Sequence, residues 1–255
     1  MEMIESERRR NAIVALLTRH GELPVAALVE EMRVSAQTIR SDLRALDEAR
    51  VVRRRHGAVR LNNHHENLGY QPRQKIASDE KAQIAAVVAA QIPDGATVAL
   101  GTGTTVEAVA HALAGHKRLT VATNSLHVAL ALRGSAEVTV LIAGGQLRPG
   151  DLDVIGPDSL AFFGGLNFDH AVFSVGGLSE AGALLDFTPD EIQARKAIMS
   201  CARHRTLVLD HTKIGRAAPF SWGDVSALER IVSGGDLPAD VARMALEAGC
   251  EVVGL

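Results

Sequence analysis

Five short polar or glycine-rich clusters beyond residue 100 of this chain carry groups that can hold an anion. They are Gly101-Thr102-Gly103-Thr104-Thr105, Thr123-Asn124-Ser125, GGQLR at 144–148 with Gly145 and Arg148, Gly176-Gly177, and DHTK at 210–213. In the first cluster two glycines let the backbone approach an anion closely, and the threonine hydroxyls with a following helix N-terminus offer donors. Lys213 adds a counter-charge and Arg148 a second. A phosphate-bearing ligand suits these groups; the plainer alternative is a tight strand-to-helix turn with glycine for backbone reasons. A different chemistry is laid out near the start. Residues 34–60 hold seven arginines against three acidic side chains. Gln37, Arg40, Ser41 and Arg44, with Thr38 at the edge, fall on one face of a helical pattern, and Arg53, Arg54, Arg55 and His56 follow it. Arg and Gln make paired hydrogen bonds to base edges, and a basic hairpin can lie along backbone phosphates.

Short helices must position the basic groups. Ile13, Leu16 and Leu17 recur on one face, and His20-Gly21 is a stop signal. Pro24 opens a second helix that turns Val25, Leu28, Val29 and Met32 inward. Ser35 is the expected N-cap of a third, in which Ile39, Leu43 and Leu46 share the buried face and leave Gln37, Arg40, Ser41 and Arg44 outside. VVRRRHGAVRL, with His56-Gly57 as its turn, suits a two-stranded hairpin. Helix, short helix, tight turn, polar-faced helix and basic hairpin make a winged helix-turn-helix, whose third helix fits the major groove of double-stranded DNA. The bland alternative is a small three-helix interaction module whose arginines keep it soluble.

Residues 61–78 lack apolar periodicity and carry Asn, Gly and Pro, so they read as a linker. From Asp79 onward, helical and strand patterns alternate. ATVAL, RLTVAT, EVTVLIAG, DHAVFSV, TLVLD, RIVS and CEVVGL are strand-length apolar runs. EKAQIAAVVAAQI, ended by Pro93-Asp94-Gly95, is a helix ahead of them, and TTVEAVAHAL, PDEIQARKAIMSCARH and PADVARMALEAG are helical segments between them. This alternation predicts an α/β domain with a largely parallel sheet, following an N-terminal all-α winged helix-turn-helix. Each of the five polar clusters follows the end of a predicted strand, where open α/β sheets bind ligands. The expected boundaries are 1–60 for the DNA-binding domain, 61–78 for the linker and 79–255 for an effector-binding and oligomerisation domain.

Charge follows the same division. Residues 1–60 hold 12 arginines against 9 acidic side chains, whereas the remainder holds 15 basic against 21 acidic. No apolar run approaches the roughly 20 residues of a membrane span, and the Arg-rich start lacks the apolar stretch of a signal peptide. Cys201 and Cys250 stand in apolar contexts without CxxC spacing, which reads as buried thiols in a reducing cytoplasm. GTGTTV lacks the third glycine of a dinucleotide fingerprint, and no GxxxxGK[ST] or GxSxG occurs. Adjacent His64 and His65 lack metal-ligand spacing. No cofactor, metal or catalytic residue is assigned.

Residues 7–60, through VSAQTIRSDLRAL followed by VVRRRHGAV, resemble the N-terminal domain of DeoR-family bacterial transcription regulators. Ser41 stands where that pattern usually has Arg, and Arg50 and Ala58 where it has Gly. Residues 79–255 resemble the family's effector domain through GTGTT, TNS, AGGQLRPGDLDVIGP, DHAVFSVGGLSEAGALLDFTPDEIQARKAIM and VLDHTKIGR. The resemblance implies a fold shared with ribose-5-phosphate isomerase and CoA transferases, and a phosphorylated sugar or related metabolite as effector. It implies that Gly101 to Thr105 and Lys213 bind phosphate while Asn124, Gly145, Arg148 and Asp153 line the sugar end. The expectation is a DNA-binding regulator, a homo-oligomer and a repressor of carbohydrate metabolism, not an enzyme. The rival reading is a sugar-phosphate isomerase with an appended DNA-binding domain, which needs a general base. SVGGL carries no carboxylate, Asp169 precedes its strand, and Asp186 and Glu191 remain, the latter spaced i, i+4 from Arg195.

Overall fold

A computed structural model describes residues 6, 9–10, 12–14, 16–17, 20, 22–48, 51–55, 57–61 and 69–255, with backbone only for Glu48, Arg54, Arg55 and Leu61. The chain divides into two units, Met1–Ala77 and Ser78–Leu255.

In the first unit the described residues from Ser6 to His20 are helical. Strand β1 (Glu22–Pro24) leads into helix α1 (Val25–Met32), and α2 (Ala36–Glu48) precedes a hairpin of β2 (Val52–Arg55) and β3 (Ala58–Leu61). The turn between α1 and α2 closes on Arg33 in a left-handed conformation, φ 51°. Ser35 caps α2, its Oγ accepting from the Thr38 amide at 3.1 Å. Ile13, Leu17, Leu28, Ile39 and Leu43 are fully buried in one cluster, as the 3.6-residue spacing requires. β1 pairs with β3, so the hairpin is the outer part of a three-stranded antiparallel sheet in the order β1-β3-β2. The span 61–78, which reads as linker in sequence, contains helix α3 (Tyr70–Lys75), and Ile76 and Ala77 are buried in the first unit's core.

Among the described residues, the second unit builds one seven-stranded parallel sheet. Its strands are β4 (Thr97–Leu100), β5 (Leu119–Thr123), β6 (Val138–Ile142), β9 (Phe168–Phe173), β12 (Ala202–Leu209), β14 (Arg230–Ser233) and β15 (Glu251–Gly254). They lie in the order β15-β14-β12-β9-β4-β5-β6. Alternation within β4 separates the faces. Val98 and Leu100 face a cluster with helices α4 (Ser78–Ala90), α5 (Thr104–Leu113) and α6 (Leu126–Ala131). Ala99 joins Ala122, Ala143 and Ala171 on the other face. Their small side chains admit Phe163 of α7 (Pro157–Gly164) and Ile198 of α8 (Pro189–Ser200) close to the sheet. Helix α9 (Ala239–Glu247) packs Val241 and Ala245 against Leu207, Leu209 and Ile231. Full burial of a Leu or Val stabilises by about 1.5–3 kcal/mol, so these faces dominate the unit's stability.

The seven strand-length runs read in the sequence are the seven strands of this sheet. One helix differs. The predicted helical segment PDEIQARKAIMSCARH stops at Ser200, because from Ala202 the chain pairs with Phe168 and the rest of β9. Helices α6 and α7 were not among the segments read as helical, and two β additions also escaped the periodicity. A hairpin of β7 (Gln146–Arg148) and β8 (Asp153–Ile155) follows β6, so GGQLR is partly strand. A small antiparallel sheet of β10 (Gly177–Leu178), β11 (Ala183–Asp186) and β13 (Phe220–Asp224) follows β9.

Candidate functional site

Two sites emerge, one in each unit. On α2, Gln37, Arg40, Ser41 and Arg44 are exposed and Thr38 half-buried, while Ile39 and Leu43 are fully buried. The helix therefore presents a polar face backed by a packed one. Its orientation is fixed from below by Asp42, which is buried and takes Arg9 Nε at 2.5 Å and Arg10 Nε at 3.0 Å from the first helical segment. Sequence reasoning missed Asp42, although an acid set between Arg40 and Arg44 on the inward side of α2 is a detectable signal. Ser35 is exposed, and its Oγ lies 2.8 Å from Thr38 Oγ1, so the cap and the first turn of α2 are joined. Arg53 of β2 is exposed and faces Arg60 across the hairpin. The backbones of Arg54 and Arg55 lie in β2; His56 lies outside the described residues.

The second site follows from strand order. Strands β5 and β6 run outward on one side of β4, and β9, β12, β14 and β15 on the other. The order reverses between β4 and β9, and a crevice opens beyond the carboxyl ends of such strands. Gly101 to Thr105 and Ser174 to Gly177 leave the sheet at that point. Gly101 packs so close to Phe173 that a Cβ would lie 3.3 Å from the Phe173 Cβ. Gly103 holds φ 124°, a conformation that favours glycine, and places α5 with its first turn uncapped by any side chain. Thr102, Thr104 and Thr105 are buried. Backbone donors and hydroxyls thus converge at the start of a helix, an arrangement suited to an anion.

Thr102 Oγ1 accepts from Arg195 Nη1 of α8 at 3.3 Å. Arg195 Nε lies 2.8 Å from Asp186 Oδ2. The other oxygen of Asp186 accepts from the Gly176 amide at 2.9 Å, and Trp222 Nε1 donates to Oδ2 at 3.0 Å. Gly176 has no space for a side chain: a Cβ would sit 2.9 Å from the Phe187 ring and 3.0 Å from Asp186 Oδ1. Burial raises the Asp186 pKa above the ordinary carboxylate value despite Arg195.

At the neighbouring strand ends, Asn124 and Ser125 are fully buried beyond β5. Asn124 Nδ2 donates to Val154 O at 3.0 Å, and its Oδ1 is buried without a hydrogen-bond partner. Ser125 bridges to Asp153 through the backbone and caps α6. Arg148 joins the hairpin to α8: it donates to Asp153 through Nε at 2.9 Å and Nη2 at 2.8 Å, to Asp151 at 3.3 Å and to Glu191 at 3.1 Å. Burial disfavours its charge, but the hydrogen bonds and charges of Asp153 and Glu191 outweigh that and raise its pKa. Glu191 is held low for the complementary reason: burial is overcome by the charges of Arg195 and Arg148. With three carboxylates on it, Arg148 is matched within the protein, and the expectation that it is a second counter-charge for a phosphate does not describe its position. The spacing of Glu191 and Arg195 on α8 holds, but Glu191 hydrogen-bonds Arg148 while Arg195 pairs with Asp186.

Lys213 lies beyond β12, in a 3-10 turn, His211–Lys213, capped by Asp210. Asp210 is fully buried, yet the Lys81 and Lys213 ammoniums and the Thr212 hydrogen bond outweigh burial and hold its carboxyl below the usual range. Asp169 is elsewhere: it accepts from the Thr97 amide and hydroxyl at the amino end of β4, the opposite edge of the sheet. The site thus brings together the GTGTT loop, Gly176 and, through α8 and Arg148, the Asn124, Gly145 and Asp153 neighbourhood. Lys213 stands two strands across at the same edge. Arg195 is the member that sequence reading left out, visible there only as a possible helical partner of Glu191.

Comparison with known proteins accounts for both units. Residues 9–65 match the DeoR-like helix-turn-helix domain and residues 76–235 the DeoR C terminal sensor domain. The chain is similar to the glycerol-3-phosphate regulon repressor of Escherichia coli (strain K12), 36% identical over 94% of this chain and 96% of that protein. It is also similar to the lactose phosphotransferase system repressor of Staphylococcus aureus (strain N315), 29% identical over 90% of this chain and 92% of that protein. Among solved structures, ribose 5-phosphate isomerase A of Methanocaldococcus jannaschii covers 54% of each chain at 16% identity and a TM-score of 0.39. With a family model matched across each of its two units, the chain belongs to the DeoR family.

Proposed function

We propose that this chain is a transcriptional repressor of a carbohydrate-metabolism operon, controlled by a phosphorylated sugar or polyol. The observation that carries the reading is one chain joining an exposed polar face on a capped, core-backed helix to an anion-suited loop and helix start at a topological switch point. In the first unit, Gln37, Thr38, Arg40, Ser41 and Arg44 contact the major groove, and Arg53, Arg54, Arg55 and His56 serve the wing. In the second, Gly101 to Thr105 hold the phosphate with Lys213. Asn124 Oδ1, buried and unpartnered, accepts from a ligand hydroxyl, which removes a desolvation cost of about 1–3 kcal/mol. Binding rather than turnover is supported by the carboxylates: Asp186 and Glu191 are each held by an arginine and hydrogen bonds. Protomers assemble as homo-oligomers, because two-fold symmetric reading heads match inverted half-sites. No described helix is long and apolar enough to cross a membrane.

The test is a fluorescence-anisotropy titration onto DNA from upstream of the protein's own gene, repeated with a panel of sugar and polyol phosphates. The name of the Escherichia coli relative puts glycerol 3-phosphate first in that panel. Expected are salt-sensitive, competitor-resistant binding and one compound that shifts it. Conversion of a panel member to its isomer by the protein would instead make it an enzyme.

A further inference from the structure

The two units join in sequence at Ala77 and Ser78. Ile76 and Ala77 are buried in the first unit's core, and Ala77 holds φ 52°, a left-handed conformation that residues with a Cβ rarely adopt. Helix α4 starts at the next residue, and its first turn carries Glu80 and Lys81. Both reach the loop that bears Lys213. Glu80 Oε1 accepts from the His211 amide at 2.6 Å, and Oε2 lies 2.5 Å from His211 Nδ1. Lys81 Nζ lies 3.6 Å from Asp210 Oδ2. From the far side Gly234 closes on the same carboxylate: a Cβ there would sit 1.7 Å from Glu80 Oε1. Glu80 is therefore wedged between the chain leaving β12 and the chain leaving β14, three residues after a buried, left-handed joint.

A ligand changes DNA affinity only by favouring one arrangement of the chain over another, which requires a physical element that both sites bias. An anion beside Lys213 alters the charge balance around Asp210, which also holds Lys81 and adjoins His211. We propose that Glu80 is a positioning residue through which occupancy of the crevice acts on the Ala77–Ser78 joint, an inference that rests on the regulator reading above. Glu80 touches no ligand in this scheme; it transmits the state of the 210–213 loop to the start of α4.

The experiment uses full-length protein, labelled operator DNA and glycerol 3-phosphate as probe. Two quantities are read: the probe's affinity by calorimetry, and the ratio of DNA dissociation constants with and without saturating probe. The wild-type ratio is expected to be about 5–150-fold, the usual range of allosteric coupling. Glu80→Gln, which keeps the shape and removes the charge, retains probe binding and probe-free DNA binding while the ratio falls towards one. Gly234→Ala alters no charge and intrudes on Glu80, and it has the same effect. If both variants, folded by Trp222 fluorescence, keep the wild-type ratio, the inference is overturned. A wild-type ratio of one with the probe bound to saturation by calorimetry overturns the effector-control reading above, and the inference with it; a probe that calorimetry shows not to bind is replaced by the next member of the panel.

Discussion

At the scale of single residues, the carboxylates of the second unit behave differently because their partners differ. Asp186 is buried beside one arginine and near the Glu191 charge and is raised, whereas Asp210, also buried, has two ammoniums nearby and is lowered. His211 is raised chiefly by its hydrogen bond to Glu80, against burial, with the charges of Glu80 and Asp210 adding and Lys81 opposing. A histidine whose folded pKa exceeds its unfolded value stabilises fully below the unfolded value and loses that contribution as pH rises through the folded one. The window therefore opens above the ordinary value of 6.5. Urea midpoints followed through Trp222, the chain's single tryptophan, are expected to fall across that window and to lose this component in His211→Asn. An identical pH profile in the variant would show that the Glu80–His211 pair contributes nothing to it.

At the scale of elements, the β7–β8 hairpin depends on one glycine. Gly145 holds φ 135°, and a Cβ there would lie 2.6 Å from the Ile155 carbonyl oxygen and 3.1 Å from Val154 Cγ1. The nearer obstacle is backbone, which cannot rotate away. Gly145→Ala is expected to cost about 1–3 kcal/mol locally and to displace the hairpin that carries Arg148 and Asp153. Calorimetry should then show probe binding weakened about tenfold, the equivalent of 1.4 kcal/mol. Unchanged affinity would mean that the hairpin does not shape the ligand site. The capped helix α2 needs no such device, because Ser35 and the Ile39–Leu43–Leu46 stripe lie within one local segment.

At the scale of the whole molecule, the proposed division of labour makes paired predictions. Arg40→Ala should weaken operator binding by about 1–3 kcal/mol and leave probe affinity unchanged. Lys213→Ala should weaken probe binding and leave probe-free DNA binding unchanged. DNA binding should also decline with the logarithm of salt concentration, as phosphate contacts require. A result in which both substitutions affect only DNA binding would contradict the division. Strands and helices were legible in the sequence because each is written locally: apolar runs of strand length, a 3.6-residue stripe, Ser35 ahead of it, glycine and polar clusters at strand ends. Sequence alone thus determined the two-part architecture and the loops of the candidate site. The tertiary structure decided who touches whom within it. Thr102 meets Arg195 across 93 positions, Arg148 meets Glu191 across 43, and Glu80 meets His211 across 131. No periodicity records such pairs, since they exist only once parallel pairing sets β9 beside β4 and β14 beside β12 and brings distant strand ends to one edge.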